Sequence, residues 1–222
     1  MKINILYEDN HLLVVEKPVN IPVQEDASKD KDLLTILKED IKVRYNKPGN
    51  VYLALVHRLD RPVGGVMVFA KTSKAASRLS DVIRRNHLER RYLAVVRGTP
   101  KQEKAKLEHF LYKDTSRNIV RSVPENYKGA KKAILEYELL GSREGLSLLA
   151  VKLHTGRSHQ IRVQLSTIGH PLFGDQKYGQ QQNQKGQQIA LWANLLEFPH
   201  PTTKELVSVQ SPPPSEYPWN LW

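Results

Sequence analysis

The chain has 222 residues, of which 40% are hydrophobic, and we expect one globular domain over residues 1–222. It has no cysteine, which excludes disulfide frameworks, thiolate zinc sites and catalytic thiols. No apolar run is long enough to span a bilayer, and the N-terminus lacks a signal-peptide pattern, which suits a cytoplasmic protein. The formal net charge of +11 favours a polyanionic partner, and at this level DNA, RNA and an anionic membrane remain open.

Strands dominate the predicted elements. Apolar and β-branched runs predict strands at residues 3–7, 12–15, 52–56, 64–70, 90–98, 189–198 and 204–210, and a hairpin at residues 132–156. Helical spacing of apolar residues predicts three helices, within residues 30–45, 71–90 and 158–168. Thr72 or Ser73 is the expected cap of the second helix, and Ser158 that of the third. This order predicts an α+β fold with a mixed, mainly antiparallel sheet and flanking helices.

The segment HRLDRPVGG places Asp60 between Arg58 and Arg61, where two predicted strands meet. A turn needs Gly, Pro, Asn or Asp for backbone reasons, but it does not need two flanking arginines. The simpler interpretation is a solvated turn with a surface ion pair, which would contribute little to stability. The alternative is a carboxylate placed for chemistry.

Two arginines accompany the third predicted helix. Arg157 lies in the turn before it and Arg162 within it, and a helix N-terminus already favours anions, so this is a candidate phosphate or carboxylate site. The alternative places Arg162 on the solvent face, although its neighbours Ile161 and Val163 both look core-facing. Upstream, Tyr92 begins a strand after a basic helix, where a tyrosine serves either as a core residue or as a platform for an unpaired base.

The histidines do not predict a metal site. His154 and His159 are five residues apart, at the predicted end of a strand and the start of a helix, and His57 is distant in sequence. A zinc site requires a third ligand and a characteristic spacing. We therefore expect no metal.

Five segments in order resemble the RluA family of pseudouridine synthases. The most specific are HRLDRPVGGVMVFAKTSKAA, RRYLAVVRG and LHTGRSHQIRVQLSTIGHPLFGDQKYG, and the opening and closing segments are similar to the family's first motif and last strands. The resemblance implies a single catalytic domain with a central basic cleft. It also implies isomerisation of uridine to pseudouridine in RNA without cofactor or metal. The chain begins at the first motif, so we expect no small N-terminal S4 domain.

The resemblance also implies roles for individual residues. Asp60 matches the catalytic aspartate, Arg162 its basic partner, and Tyr92 the aromatic residue that stacks on the target uracil. The expected RNA-binding residues are Arg58, which helps to displace the target base, together with His57, Arg157, Ile161 and Leu165. The chemistry agrees, because a carboxylate can act as nucleophile or base, and a nearby arginine keeps it ionised when RNA excludes water. A flipped base also needs an aromatic floor.

One departure from the family pattern stands beside the aspartate. Val63 and Gly64 occupy positions where the family usually has Thr and Ser, so a hydroxyl is lost and backbone freedom is gained. We expect a monomeric enzyme that acts on an rRNA or tRNA stem-loop and binds neither DNA nor membrane. The alternative is a non-catalytic RNA-binding protein or chaperone of the same fold. A DNA-binding protein is disfavoured because no helix-turn-helix or finger pattern is present.

Overall fold

Antiparallel strands dominate the computed structural model, which describes residues 2–222. Packing divides the chain into two units. The first contains Met1–Glu89 and Ala193–Pro212, and the second contains Arg90–Trp192 and Pro213–Trp222. The predicted α+β class with a mainly antiparallel arrangement is confirmed.

The first unit contains strands and two helices. Their order is β1 (Asn4–Glu8), β2 (Leu12–Lys17), α1 (Leu33–Arg44), β3 (Ala54–Leu55), β4 (Gly64–Ala70), α2 (Ser73–Arg84) and β11 (Leu206–Gln210). Strand β10 (Leu191–Pro199) begins in the second unit and continues into the first. The strand order is β1-β2-β4-β10, with β3 paired to β4 and β11 paired to β10.

Alternating residues of β2 and β4 form the core of the first unit. Leu12 and Val14 lie on the same face as Val66, Val68 and Ala70, because strand side chains alternate between the two faces. Helix α2 packs on this face through Ala75 and Leu79, and strands β10 and β11 contribute Leu196, Phe198 and Val209. Most side chains along β2 and β4 are fully buried, so the loop before β4 is attached to a closely packed part of the first unit.

Local caps explain where the two helices begin. The Asp32 side chain accepts a hydrogen bond from the Thr35 N–H at 3.0 Å, and α1 then buries Leu33, Leu37 and Ile41 at helical spacing. The Thr72 hydroxyl accepts from the Ala75 N–H at 3.1 Å at the start of α2, as predicted. Both helices are therefore fixed by sequence signals within the first turn.

The second unit is an antiparallel sheet with one main helix. Its elements are β5 (Glu89–Arg97, of which Glu89 belongs to the first unit), β6 (Lys104–Asp114), β7 (Ile119–Val123), β8 (Lys131–Arg143), β9 (Leu146–Leu153), α3 (Gln160–Thr167) and a 3₁₀ turn at Trp219–Leu221. The strand order is β5-β9-β8-β6-β7, antiparallel at every step. Strands β6 and β7 were not predicted from the sequence.

Helix α3 covers one face of this sheet. Val163 packs with Leu111, Val120 and Ala133, one residue from each of β6, β7 and β8. The first six residues of α3 are all buried, including Gln160, Arg162 and Gln164. The helix therefore lies inside the unit rather than on its surface. Within residues 2–222, no helix is long and apolar enough to cross a membrane.

Candidate active site

The first group of predicted site residues lies on the loop between β3 and β4. The Val63 N–H donates to the Asp60 carbonyl at 3.0 Å, which closes a tight turn. Leu59 and Val63 are buried, Arg58 is exposed and Asp60 is partly exposed. The buried apolar residues thus anchor the loop, whereas Arg58 is exposed and Asp60 keeps partial contact with solvent.

Arg61 is engaged away from Asp60. Its Nε donates to the Asn20 carbonyl at 3.1 Å, and its Nη1 donates to the Ser28 hydroxyl at 2.9 Å. Its Nη2 forms an ion pair with Asp30. Arg61 therefore ties the Asp60 loop to the segment before α1. A simple turn with a surface ion pair accounts for Arg61, which pairs with Asp30. It does not account for Arg58.

A buried lysine donates hydrogen bonds to the backbone of the same loop. Lys17, at the end of β2, is fully buried, and its Nζ donates to the carbonyls of Pro18, Arg61 and Val63 at 2.9, 2.9 and 2.8 Å. Three acceptors match the three N–H groups of an ammonium. Burial lowers the pKa of Lys17 to about 7, the charge of Asp60 opposes that shift, and the charge of Arg61 adds to it. Lys17 was not identified from the sequence.

His57 begins the loop and is held by β4. Its Nε2 accepts a hydrogen bond from the Val68 N–H at 3.1 Å, which requires an unprotonated Nε2. The other two histidines considered as metal ligands also have protein partners: His154 Nε2 lies 3.1 Å from Glu136, and His159 Nδ1 lies 2.6 Å from the Tyr178 hydroxyl. Among residues 2–222, no group of three or more His, Asp or Glu side chains could hold a metal ion.

The second group lies at the start of α3, where the predicted cap was wrong. The N-cap is His159, in the left-handed conformation with φ 51°, and it makes no side-chain capping bond. Gln160 explains the difference, because its Oε1 accepts from the Arg157 N–H at 2.9 Å and the Thr155 hydroxyl at 2.8 Å. The loop is thus closed by a side chain of the first helical turn rather than by Ser158.

Arg162 is buried and held by an aspartate that was not identified from the sequence. Its Nε and Nη2 donate to Asp175 Oδ2 and Oδ1, each at 2.8 Å, and its guanidinium lies 5.2 Å from the centroid of the Tyr178 ring. Burial alone raises the pKa of the Asp175 carboxyl, but Arg162 and the N–H groups of Lys177 and Tyr178 outweigh it, so the pKa lies below 3.8. The alternative of a solvent-facing Arg162 is therefore wrong.

Tyr178 connects this arginine to the rest of the unit. Its hydroxyl accepts from the Val120 N–H at 2.9 Å and lies 2.6 Å from His159 Nδ1. While the hydroxyl accepts from Val120, it either donates its own proton to His159 Nδ1 or accepts a second hydrogen bond from it, according to the tautomer of that ring. Arg162 thus packs on an aromatic ring whose position is set by β7 and by the cap of α3.

The remaining predicted residues occupy different environments. Tyr92 is in β5, opposite Val151, and is 7% exposed. Ile161 and Leu165 are buried in α3. Arg157 is exposed, and its Nε donates to the Lys132 carbonyl at 2.9 Å. The structure therefore brings His57, Arg58 and Asp60 together on one loop, and it places Ile161, Arg162 and Leu165 on one helix.

Sequence signals for the missed residues did exist. Lys17 follows Glu16 at the junction of an apolar strand and Pro18, and Asp175 and Tyr178 lie in the quoted segment GDQKYG. Neither signal says which partner the side chain contacts. A charge inside an otherwise apolar pattern is nevertheless informative, because buried charges are rare unless they are paired.

Comparison with known proteins gives the family. The family model described as RNA pseudouridylate synthase matches residues 11–167, which include Asp60, Tyr92 and Arg162. An uncharacterised RNA pseudouridine synthase of Bacillus subtilis, YhcT, is 34% identical over 218 residues, covering 97% of this chain and 70% of that protein. The tRNA pseudouridine synthase C of Haemophilus ducreyi is 29% identical over 235 residues, covering 95% of this chain and 91% of that protein.

Solved structures support the same fold. The human RNA pseudouridylate synthase domain containing 4 protein superimposes with a TM-score of 0.81 at 22% identity, covering 98% of this chain and 91% of that one. At this identity the likeness concerns the fold alone. Together with the match over residues 11–167, which is well over half of the sequence, the findings establish that this chain belongs to the RNA pseudouridylate synthase family.

Proposed function

We propose that this protein converts uridine to pseudouridine in structured RNA, with Asp60 as its central catalytic residue. The supporting observation is the Asp60 loop itself, in which three hydrogen bonds from the buried Lys17 fix the backbone while the carboxylate stays accessible. A rigid support for one partly exposed aspartate suits a catalytic group, because catalysis requires the reacting group to be held in place.

The reaction needs no group from outside the chain and the RNA. The bond between uracil N1 and the ribose C1′ breaks, the base rotates, and C5 forms the new bond to C1′. The hydrogen of C5 leaves to solvent and N1 takes up a proton, so the overall change is an isomerisation. Asp60 serves either as the nucleophile that detaches the base or as the base that removes a proton.

Arg162 is proposed as the cationic partner of the reaction. An arginine cannot lose its charge at physiological pH, so it favours the ionised carboxylate when RNA excludes water. Asp175 fixes the direction of its guanidinium through two hydrogen bonds, each 2.8 Å long. Asp175 is thus a positioning residue, acting through Arg162 rather than on the RNA.

The other residues are proposed to hold the target nucleotide. Tyr92 provides an aromatic surface for the flipped uracil, and Leu165 with Ile161 provides apolar surroundings. The exposed Arg58 guanidinium takes the place of the base that leaves the stack. Arg157 and His57 contribute contacts to the RNA backbone. A flipped base costs a few kcal/mol of stacking, by order of magnitude, and these contacts offset that cost.

We propose an rRNA or tRNA stem-loop as substrate, modified in the cytoplasm by a monomer. Relatives are named for both RNA classes: ribosomal large subunit pseudouridine synthase D of Zymomonas mobilis and tRNA pseudouridine synthase C of Haemophilus ducreyi. The net charge of +11 suits either polyanion. Sedimentation of the purified protein at several concentrations checks the monomer.

The test is release of tritium from RNA labelled at C5 of uridine, with rRNA and tRNA pools supplied separately. The parent protein should release tritium, and Asp60→Asn should release none while keeping its RNA affinity within a few-fold. Asp40→Asn is the matched control, because it removes a partly exposed carboxylate whose ion pair is with Arg44 in the same helix α1. Equal release by Asp60→Asn and the parent would refute the role of Asp60. Intact RNA binding by a parent that releases no tritium would favour the non-catalytic alternative.

A further inference from the structure

Two tyrosines form a fixed aromatic surface at one end of the second unit. Tyr127, in the β7–β8 loop, is 47% exposed, and its ring lies 4.9 Å from that of Tyr112, centroid to centroid, at 62°. A single exposed tyrosine is ordinary on a protein surface. Here two tyrosines pack edge to face, and about half of one ring is exposed. The pair therefore holds an aromatic ring face at the surface without help from a ligand.

The loop that carries Tyr127 is closed by its own backbone. The Tyr127 N–H donates to the Pro124 carbonyl and the Ala130 N–H donates to the Tyr127 carbonyl, each at 3.0 Å. Gly129 adopts φ 87° beside Tyr112, and a Cβ there would lie 3.5 Å from the Tyr112 ring. The loop is therefore shaped around the Tyr112 ring, so stacking on Tyr127 would need little further ordering.

Three exposed cations lie opposite Tyr112 in the strand register or next to the Tyr127 loop in sequence. Arg121 lies directly opposite Tyr112 in the β6–β7 register and shares its face of the sheet, and Lys128 and Lys131 flank the Tyr127 loop in sequence. All three are exposed, and none of them forms an ion pair with a carboxylate within residues 2–222. By contrast, Lys132 pairs with Glu108 at 2.8 Å. A row of unneutralised cations beside aromatic rings is complementary to a strand of unpaired nucleotides.

This surface is separate from the proposed catalytic residues of the same unit. Val120 packs against α3 on one face of the sheet, whereas its neighbour Arg121 points to the other face with Tyr112. The two faces meet at β7, whose Val120 N–H bonds to Tyr178 beside Arg162. An RNA bound near Arg162 therefore reaches the tyrosine pair only by continuing past β7.

We propose that Tyr112, Tyr127, Arg121, Lys128 and Lys131 form an accessory RNA-binding surface that stacks unpaired nucleotides outside the modified loop. The inference rests on the proposed function, since it extends the contact of the same RNA. The tyrosine pair contributes stacking and the cations contribute phosphate contacts. The surface increases affinity for long RNAs with single-stranded segments and leaves the chemical step unchanged.

The test measures binding of three fluorescent probes by anisotropy: a 20-nucleotide oligouridylate, a 20-base-pair RNA duplex and a short RNA stem-loop. Tyr127→Ala should weaken oligouridylate binding by about fivefold to a hundredfold, as expected for the loss of one stacked base. It should leave duplex and stem-loop binding unchanged, and Tyr127→Phe should bind like the parent. Arg121→Gln should lower the dependence of log affinity on log salt by about 0.7 for the single strand.

The matched control is Tyr217→Ala, which removes another half-exposed tyrosine that packs edge to face on Phe173. It should bind all three probes like the parent. Equal affinity of Tyr127→Ala and the parent for oligouridylate would overturn the proposal, as would equal losses for Tyr127→Ala and Tyr217→Ala. The binding measurement is independent of tritium release. A parent that lacks synthase activity but shows the Tyr127 effect would refute the proposed function and support the surface.

Discussion

Arg162 and Asp175 form a two-point ion pair inside the second unit, with both N···O distances at 2.8 Å and side-chain exposures of 8% and 0%. A buried ion pair is weak evidence of net stabilisation, but removing one partner leaves an uncompensated buried charge. The pair is therefore a sensitive place to test how Arg162 is held.

Asp175→Asn should lower the free energy of unfolding by about 3–5 kcal/mol, because it leaves the Arg162 guanidinium buried without a counter-charge. Urea unfolding at pH 7 measures this loss. Among molecules that remain folded, the kcat of tritium release should fall by a larger factor than its KM rises. The reason is that the variant misplaces a reacting partner rather than a binding contact. The control Asp81→Asn removes solvent-screened ion pairs with Arg84 and Arg85 and should leave the free energy of unfolding nearly unchanged. Equal losses in the two variants would contradict the prediction.

The same pair predicts a pH dependence. The pKa of Asp175 lies below 3.8 in the folded protein, so its contribution to stability is complete above the ordinary carboxyl pKa and is lost as the pH falls. The stability difference between the parent and Asp175→Asn should therefore be constant from pH 7 to pH 5 and shrink below pH 3.8. Urea midpoints measured across this range check the sign, and a difference that grows on acidification would refute it.

Lys17→Met should change how stability depends on alkaline pH. Burial lowers the pKa of Lys17 to about 7 from 10.5, so between these values the unfolded chain holds more protons than the folded one. The free energy of unfolding of the parent should then rise with pH, by up to about 1.4 kcal/mol per pH unit from this group. Lys17→Met should lack this rise. Urea unfolding between pH 7 and pH 9 measures both slopes.

The control for this comparison is Lys131→Met, which removes an exposed lysine and should run parallel to the parent. Lys17→Met should also slow tritium release, since the carbonyls of Pro18, Arg61 and Val63 lose their common donor. Parallel stability curves for the parent and Lys17→Met would show that Lys17 does not titrate in this range.

Gly65→Ala should destabilise the first unit strongly. Gly65 has φ 114°, and an added Cβ would lie 2.2 Å from the Ala193 carbonyl oxygen and 2.6 Å from its nitrogen. Backbone atoms cannot move aside as a flexible side chain can, so the expected cost is about 3 kcal/mol or more. Thermal unfolding measures it. Gly49→Ala is the control, because no atom lies within 4 Å of its added Cβ, and a similar loss there would argue against the steric explanation.

Val63→Thr should leave catalysis nearly unchanged. The loop uses the Val63 main chain, whose N–H donates to Asp60 and whose carbonyl accepts from Lys17, and threonine supplies the same two groups. The rate of tritium release should therefore stay within about twofold of the parent, as expected where main-chain contacts are kept. A large change in rate would mean that the hydroxyl, which valine lacks, matters for the geometry of the loop.

Secondary structure was predicted correctly where the local residue pattern matches the burial of those residues in the folded protein. An apolar run rich in β-branched and aromatic residues predicted β4, which pairs with β2, and helical spacing with Thr72 or Ser73 as cap predicted α2. Strands β6 and β7 carry mostly exposed or partly exposed residues and were not predicted, because pairing rather than burial defines them. The cap of α3 was wrong because Gln160 bonds to Arg157 and Thr155, a contact that no local rule specifies.

The sequence by itself determined the fold class and, through its ordered motifs, the family and the candidate residues Asp60, Tyr92 and Arg162. The fold class, the family and the candidate residues depend on the types and order of the residues, which are read directly from the sequence. Only the tertiary structure decided how these residues are held. Lys17 reaches the Asp60 loop across 46 positions to Val63, and Asp175 reaches Arg162 across 13. Such contacts depend on how strands and loops pack in three dimensions, and the periodicity of side chains along one element carries no information about them.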